Sequence, residues 1–506
     1  MFRSFRENVV SLNQRWQGRH QAGAVRSDGP PPPSRDLIDF LRAIAVLLSS
    51  SGDSTTKATE ELRSIARAYG ASEVDVFVLP TGAFVRIQDP DGTTSTDFAA
   101  ASSTPLRLDQ ISELYHLMRE AYETRLDPKE GLRRIKQIEL SNRRFSTPVA
   151  VLGVVLLSVG LGLTRTPPSI VVFTYAFLGL IVGLLWLVAE RLRILSLALP
   201  VVAGTLVTVL AFSLPASLTG GDPVRLLIPP LIIFLPGAAL TIGTIELATG
   251  SIVAGSARMM YAFNMLFLLA FGIFIGYQLM RTGTGVPSND ALGGWAAWLG
   301  VAITGVGFYL FLSAPRGSLF WVMVVLYGVW MAMFVGQILA SPLLGAFCAG
   351  LVLPLLSFSI ENQENGTPAQ VTFFPAFWLI VPGSLGLAGV AEFVSGTGIS
   401  SGIADIITAL LTVMSIALGV LVGSSLTQTR LGVVLSFEHA LPSLRWLNGR
   451  HSTDEEPAST VSGERRGLRP AVVRLGYEEV PHECGGFVGQ DSAVDFGAMV
   501  EPLVAR

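Results

Sequence analysis

The sequence predicts an α-helical integral membrane protein of about ten transmembrane helices, arranged as a 5+5 inverted repeat, with a small α+β cytoplasmic N-terminal domain. Three observations carry that expectation. Of the 506 residues 50% are hydrophobic and only 14% are charged, with a mean hydropathy of +0.54. A soluble domain carries about 25% charged residues, so this chain lacks the polar surface that water demands. Long apolar stretches recur from Val149 to about Gly423, and a Pro-Gly motif followed by a glutamate occurs twice within them, 146 positions apart. The net charge of −3, without a sustained basic face, argues against a nucleic-acid partner. Cys348 and Cys484 support neither a disulfide framework nor a zinc site. Five scattered histidines and no Walker or HExxH pattern leave no expectation of an enzyme, a metal or a cofactor.

Residues 1–34 are polar and end in Pro30-Pro31-Pro32-Pro33-Ser34; they read as a disordered leader, not a secretory signal. Residues 35–146 form the α+β domain. Leu37, Leu41, Ile44, Leu47 and Leu48 make one helical face. Gly52 ends that run, Ser54 is the expected N-cap of a second helix through Tyr69, and Gly70 stops it. Residues 74–78 and 84–87 read as two strands joined by a turn at 80–82, with another turn at Asp89-Pro90-Asp91-Gly92. Helices over 108–125 and 129–140 close the domain, the second entered through Asp127-Pro128.

Ten stretches approach the length of about 20 residues that crosses a bilayer. They lie near 149–164, 170–188, 193–213, 225–248, 258–280, 294–313, 318–339, 342–359, 373–395 and 404–424. Arg133, Arg134, Lys136, Arg143, Arg144, Arg191, Arg193, Arg258, Arg316 and Arg430 fall on one side, and only Arg165, Arg225 and Arg281 on the other. The positive-inside rule then puts both termini in the cytoplasm of a multi-pass plasma (inner) membrane protein. The first repeat spans 147–285 and the second 286–426. Residues 427–506 are polar and read as a disordered tail.

The repeat is the strongest signal. Pro236, Gly237, Gly243, Glu246 and Gly250 recur as Pro382, Gly383, Gly389, Glu392 and Gly396, all at one offset. Leu152-Gly153-Val154 is echoed more weakly by Leu299-Gly300-Val301. A unit of five spans is odd, so its second copy enters from the opposite face. Such inverted repeats are characteristic of secondary transporters, although a duplicated scaffold is the bland alternative. Proline removes a backbone donor and glycine tolerates non-helical angles. Paired near mid-span, they point to discontinuous helices; a plain kink is the alternative at either site alone. Freed backbone groups at that depth can bind the ammonium and carboxylate of a zwitterion.

Glu246 and Glu392 are candidate proton-coupling groups, since burial raises a carboxyl's proton affinity. Each also lies near a span end, where it can simply reach interfacial water. Thr241, Thr244 and Ser384 can meet a small polar substrate or merely satisfy backbone carbonyls. Asn264 is a candidate cavity-lining residue, while Asp405 reads as an N-cap. Gly243, Gly250, Arg258, Gly389 and Gly396 are candidate structural or gating positions.

Over about residues 36–425 these features resemble the threonine/serine exporter family of bacterial and fungal membrane proteins. The most specific piece is LPG-x5-G-x2-E-x3-G from Leu235 to Gly250, followed by Gly255 and Arg258. The resemblance implies efflux of small hydroxylated amino acids driven by the membrane's ion gradient, with an amphipathic cytoplasmic N-terminal part. It marks Pro236, Gly237, Thr241, Glu246, Gly250 and Arg258 as important. The stretch after Gly52, where the family often has a basic residue and a Glu, holds Lys57, Glu60 and Glu61 here. The expected function is proton-motive-force-driven export of threonine, serine or similar solutes by alternating access. The partners are the amino acid, protons or another coupling ion, and the lipid bilayer, with homo-oligomerisation left open. A membrane-embedded sensor or scaffold acting through the cytoplasmic domain, or a passive channel, is the alternative.

Overall fold

The computed structural model describes residues 34–71, 73–88, 94–100, 105–165, 167–280, 292–363, 366–380 and 399–440. All of them fall in one compact unit, Met1–Leu441. Helices α1 (Ser34–Ser51) and α2 (Thr55–Ala68) come first. Strands β1 (Glu73–Leu79), β2 (Gly82–Gln88) and β3 (Thr94–Ala100) follow, then α3 (Leu108–Thr124) and α4 (Pro128–Leu140). The strands make an antiparallel meander in the order β1-β2-β3, with Val76 opposite Val85 and Phe84 opposite Phe98. Alternation sends Val76, Val78, Ala83, Val85 and Ile87 into a core shared with Leu41, Ile44 and Leu48 of α1. Ser54 caps α2 by accepting from the Lys57 N–H, and Gly70 follows it at φ +88°.

This core does not stop at residue 146. It includes Ala314, and Tyr309, Leu312 and Phe374 pack against it. The Leu108 N–H donates to the Leu312 carbonyl at 3.1 Å, and Arg144 donates to the Tyr309 hydroxyl at 2.9 Å. The α+β unit is therefore seated on the helices that follow.

Those helices are α5 (Thr147–Leu163), α6 (Val171–Arg191), α7 (Arg193–Ser213), α8 (Gly237–Ala248) and α9 (Ile252–Met280). After them come α10 (Trp295–Phe311), α11 (Ser318–Leu339), α12 (Pro342–Glu361), α13 (Ala369–Ile380) and α14 (Ile399–Ala440). Among the described residues five helices are long and apolar enough to cross a membrane, and Pro223–Phe234 with α8 makes a sixth span bent by 64°. Four shorter apolar helices lie at other expected spans. Outward faces are apolar: Phe173, Phe177, Leu180 and Leu184 line α6, and Phe267, Phe271 and Phe274 line α9. This is the surface of a multi-pass membrane protein.

Glycines set the helix spacing. A Cβ on Gly160 of α5 would lie 2.5 Å from the Thr304 nitrogen of α10 and 2.8 Å from the Gly300 carbonyl oxygen. A Cβ on Gly153 would lie 2.7 Å from the Phe311 nitrogen and 3.0 Å from the Gly307 oxygen. The lower-numbered glycine thus meets the higher-numbered end, so α5 and α10 cross antiparallel. Gly300 and Gly307 are also the residues 147 positions beyond Gly153 and Gly160. The contact is reciprocal, as at a two-fold interface. A second set recurs between α7 and α9 and between α12 and α14. Gly204 faces the Leu269 carbonyl as Gly350 faces that of Ile416; Gly276 faces Thr205 as Gly423 faces Leu351.

Several sequence expectations are corrected. β3 was not expected, because its Thr-Ser-Thr-Asp-Phe-Ala-Ala run has no apolar alternation; backbone pairing to β2 holds it at the sheet edge. α9 begins at Ile252 and not 258, since Gly250 at φ +87° turns the chain within three residues. Arg258 is therefore a helix residue and not a loop cation. α14 begins at Ile399, so Asp405 does not stand at its N-cap, and the helix runs to Ala440, past the expected end at 426. The second Pro-Gly pair falls outside the described residues.

Replacing Gly160 or Gly300 with Val should lower stability by about 1–3 kcal/mol, the typical cost of overpacking. Because the contact is reciprocal, the two losses should be similar when thermal unfolding is measured in detergent.

Candidate functional site

α8 and α9 form a tight hairpin. Gly243 and Gly255 face each other: a Cβ on Gly255 would lie 2.8 Å from the Gly243 oxygen. At the turn the Ser251 N–H donates to the Glu246 carbonyl at 2.8 Å. This close approach sets Glu246 of α8 beside Arg258 of α9. Their Oε2 and Nε atoms are 3.1 Å apart, with the Glu246 side chain wholly buried and that of Arg258 11% exposed. The two atoms lack hydrogen-bond alignment despite that separation, so the link is chiefly ionic.

The rest of the carboxylate is met by the α+β unit. Glu246 Oε1 accepts from the Thr55 N–H at 2.9 Å and from the Thr55 hydroxyl at 3.1 Å. Thr55 opens α2, where helical N–H groups lack intrahelical acceptors and the macrodipole favours an anion. Arg258 in turn donates to the Asp53 carbonyl at 2.6 Å.

Asp53 is the second knot. Its Oδ2 accepts from the Ser51 hydroxyl and the Tyr115 hydroxyl, both at 2.8 Å. Its Oδ1 accepts from Gln370 Nε2 of α13 at 2.8 Å, and that nitrogen also donates to the Tyr115 oxygen. Burial, and then the Asp53 charge, push the Tyr115 phenol well above its ordinary value. Gly52, at φ +81°, gives the chain its turn here, and a Cβ on it would lie 3.1 Å from the Phe374 ring.

Beside this knot Lys57 Nζ lies 4.9 Å from the Tyr115 ring centre and 5.7 Å from that of Phe358 in α12. Glu61 is one turn further along α2. Burial raises its pKa above 4.5; Lys57 opposes the shift, and Glu361, Asp53 and Glu60 add to it.

At the other end of α8 the helix starts at the Pro236-Gly237 break, where Pro236 has φ −82° and ψ 45°. Thr241, one turn in, is fully buried, and its hydroxyl has no hydrogen-bond partner among the described residues. Thr244 returns its hydroxyl to the Leu240 carbonyl at 2.8 Å. Asn264 stands on the exposed face of α9, apart from these groups. Pro382, Gly383, Ser384, Gly389, Glu392 and Gly396 lie outside the described residues.

The structure thus brings Gly243, Glu246, Gly250 and Arg258 together and places Pro236 and Gly237 roughly 14 Å away along α8, with Thr241 about halfway between, at about 1.5 Å per residue. Glu246 does not reach interfacial water: Thr55 and Arg258 occupy that position. Sequence reasoning missed Asp53, Thr55, Tyr115 and Gln370. The nearest sequence signal was Gly52 and the capped start of α2, which announced a sharp turn but not its partner.

Residues 39–280 match the ThrE family model, described as "Putative threonine/serine exporter". No curated protein and no solved structure matches the chain. Residues 39–280, from within α1 to the end of α9, are accordingly similar to the threonine/serine exporter family.

Arg258→Met leaves a buried carboxylate without its counter-charge and should cost about 3–5 kcal/mol. Combining it with Glu246→Gln should recover part of that loss, as a double-mutant cycle of unfolding energies would record.

Glu61 binds its proton more tightly in the folded state. Its contribution is complete below the ordinary value of 4.5 and is lost as pH rises through the raised folded value. Thermal midpoints should therefore decline less over that window in Glu61→Gln than in the parent protein.

Proposed function

We propose that the protein is a secondary active exporter of threonine, serine or similar small polar amino acids, coupled to the proton motive force by alternating access. The observation that carries this reading is the broken span. A helix interrupted at Pro236-Gly237 starts anew in the packed interior, next to a buried hydroxyl without a partner. Non-helical backbone at membrane depth is sustained where protein or a water-filled cavity satisfies it. The first-turn N–H groups of α8 and the positive end of its dipole suit a substrate carboxylate. The Thr241 hydroxyl suits a substrate hydroxyl. Pro382, Gly383 and Ser384 are assigned the matching role in the second half.

Two five-helix halves, related by inversion, provide the moving parts. The antiparallel reciprocal contact of α5 with α10, and the repeated glycine contacts within each half, support that arrangement. Glu246 and Glu392 are the proposed proton carriers. Glu246 can take that role only when its ties to Arg258 and Thr55 are broken, so protonation and movement of the α+β unit would be linked. The basic loop residues favour both termini in the cytoplasm of a plasma-membrane protein.

The test is efflux of labelled threonine or serine from reconstituted vesicles, with and without a proton gradient. The gradient should accelerate efflux, and the reading is overturned if no tested amino acid leaves faster than from protein-free vesicles. Glu246→Gln should remove the gradient's effect, whereas a passive channel would keep its flux. Thr241→Val should leave the thermal midpoint unchanged or raise it, since it deletes an unpaired buried hydroxyl. It should raise KM roughly 2–13-fold, the equivalent of one hydrogen bond of about 0.5–1.5 kcal/mol.

A further inference from the structure

One short loop holds two helices that the sequence associates with Pro-Gly pairs. α8 starts at Pro236-Gly237, and near its far end Glu246 takes the N–H and hydroxyl of Thr55. α13 runs in sequence toward Pro382-Gly383, and Gln370 in its first turn donates to the Asp53 carboxylate. Asp53 and Thr55 are separated only by Ser54. The loop is also fixed on its own side: Ser51 and Tyr115 donate to Asp53, and Gly52 turns against Phe374. Arg258, the partner of Glu246, reaches back to the Asp53 carbonyl.

We propose that the loop from Gly52 to Thr56 is a latch that holds α8 and α13 in one arrangement, and that a transport cycle requires its release, with Asp53 as the positioning residue. The transport part of this inference rests on the exporter reading above. Alternating access displaces elements of the two halves relative to each other. A loop bonded to one helix of each half cannot keep both sets of bonds through such a displacement. The contacts suit a reversible latch because most are polar and can exchange to water when the loop lifts. Its rim is already solvent-exposed, where the Thr56 and Ser251 hydroxyls are 3.2 Å apart. The Gln370 Oε1 atom, buried and without a partner, marks the network as incompletely satisfied in the closed arrangement.

A reversible lock tests this directly. Thr56→Cys with Ser251→Cys, in a chain carrying Cys348→Ser and Cys484→Ser, can be oxidised to tie the loop to the α8–α9 turn. Efflux should fall at least tenfold on oxidation and return on reduction; equal efflux in both states overturns the latch. A second measurement does not depend on transport. Thr55→Cys should react slowly with a maleimide in vesicles, and adding Asp53→Ala should speed the reaction at least tenfold. Asp53→Glu should restore much of the protection. An unchanged rate in the Asp53→Ala protein overturns the latch whether or not any amino acid moves. Faster labelling with no efflux from the reduced protein would instead remove the exporter reading and leave the loop's hold on the two helices standing.

Discussion

A carboxylate shut away from water must be matched by positive charge and donors, and Glu246 imposes that demand on the surrounding structure. The two suppliers come from different parts of the chain. Arg258 arrives because Gly250 turns the backbone sharply and Gly243 and Gly255 let α8 and α9 close up. Thr55 arrives only if the α+β unit is seated with the start of α2 over the end of α8. An unmatched buried charge is far more costly than an unmade surface contact. The pairing therefore fixes the position of the α+β unit more firmly than its apolar contact with Tyr309, Leu312 and Phe374 alone.

The helices below are governed by distance of approach. Lipid offers no hydrophobic drive for one apolar helix to prefer another, so small residues that let backbones touch decide the partners. Gly160 against Thr304 and Gly153 against Phe311 show this in α5 and α10. The same logic operates in α7 with α9 and in α12 with α14. Large side chains then face outward, as Phe173 and Phe177 do, without competing for those contacts.

What the sequence disclosed follows from which signals are local. Apolar run length located the five described helices long enough to cross a membrane, and Pro236-Gly237 located the 64° bend of a sixth, because both act within a few residues. The capped start of α2 at Ser54 and the stop at Gly70 were legible for the same reason. β3 was not, since a polar edge strand is held by backbone pairing that leaves no side-chain pattern. Arg258 looked like a loop cation because charge counting cannot see a three-residue turn. The partnership of Thr55 with Glu246 spans 191 positions, and that of Asp53 with Gln370 spans 317. Nothing periodic connects such residues; only the folded chain brings them together. The glycines fall between these cases: the recurrence of Gly153 as Gly300 was visible, but its partner was not, and Gly160, Gly204 and Gly276 emerge only from the contacts.

The two ends of α8 are coupled by the stiffness of the helix itself. Its N-terminus begins at the break with Thr241 one turn away, and its other end carries Glu246 in the grip of Thr55 and Arg258. An uninterrupted helix moves as a rod, whereas the Pro236-Gly237 junction is where rotation can be absorbed. Displacing the N-terminal end therefore also displaces the carboxylate from a position defined by three short contacts. Conversely, any arrangement in which Glu246 is released frees α8 to pivot at its break. α8 thus lies between a backbone break and a polar tether, where the α+β unit meets the membrane helices through donors and acceptors.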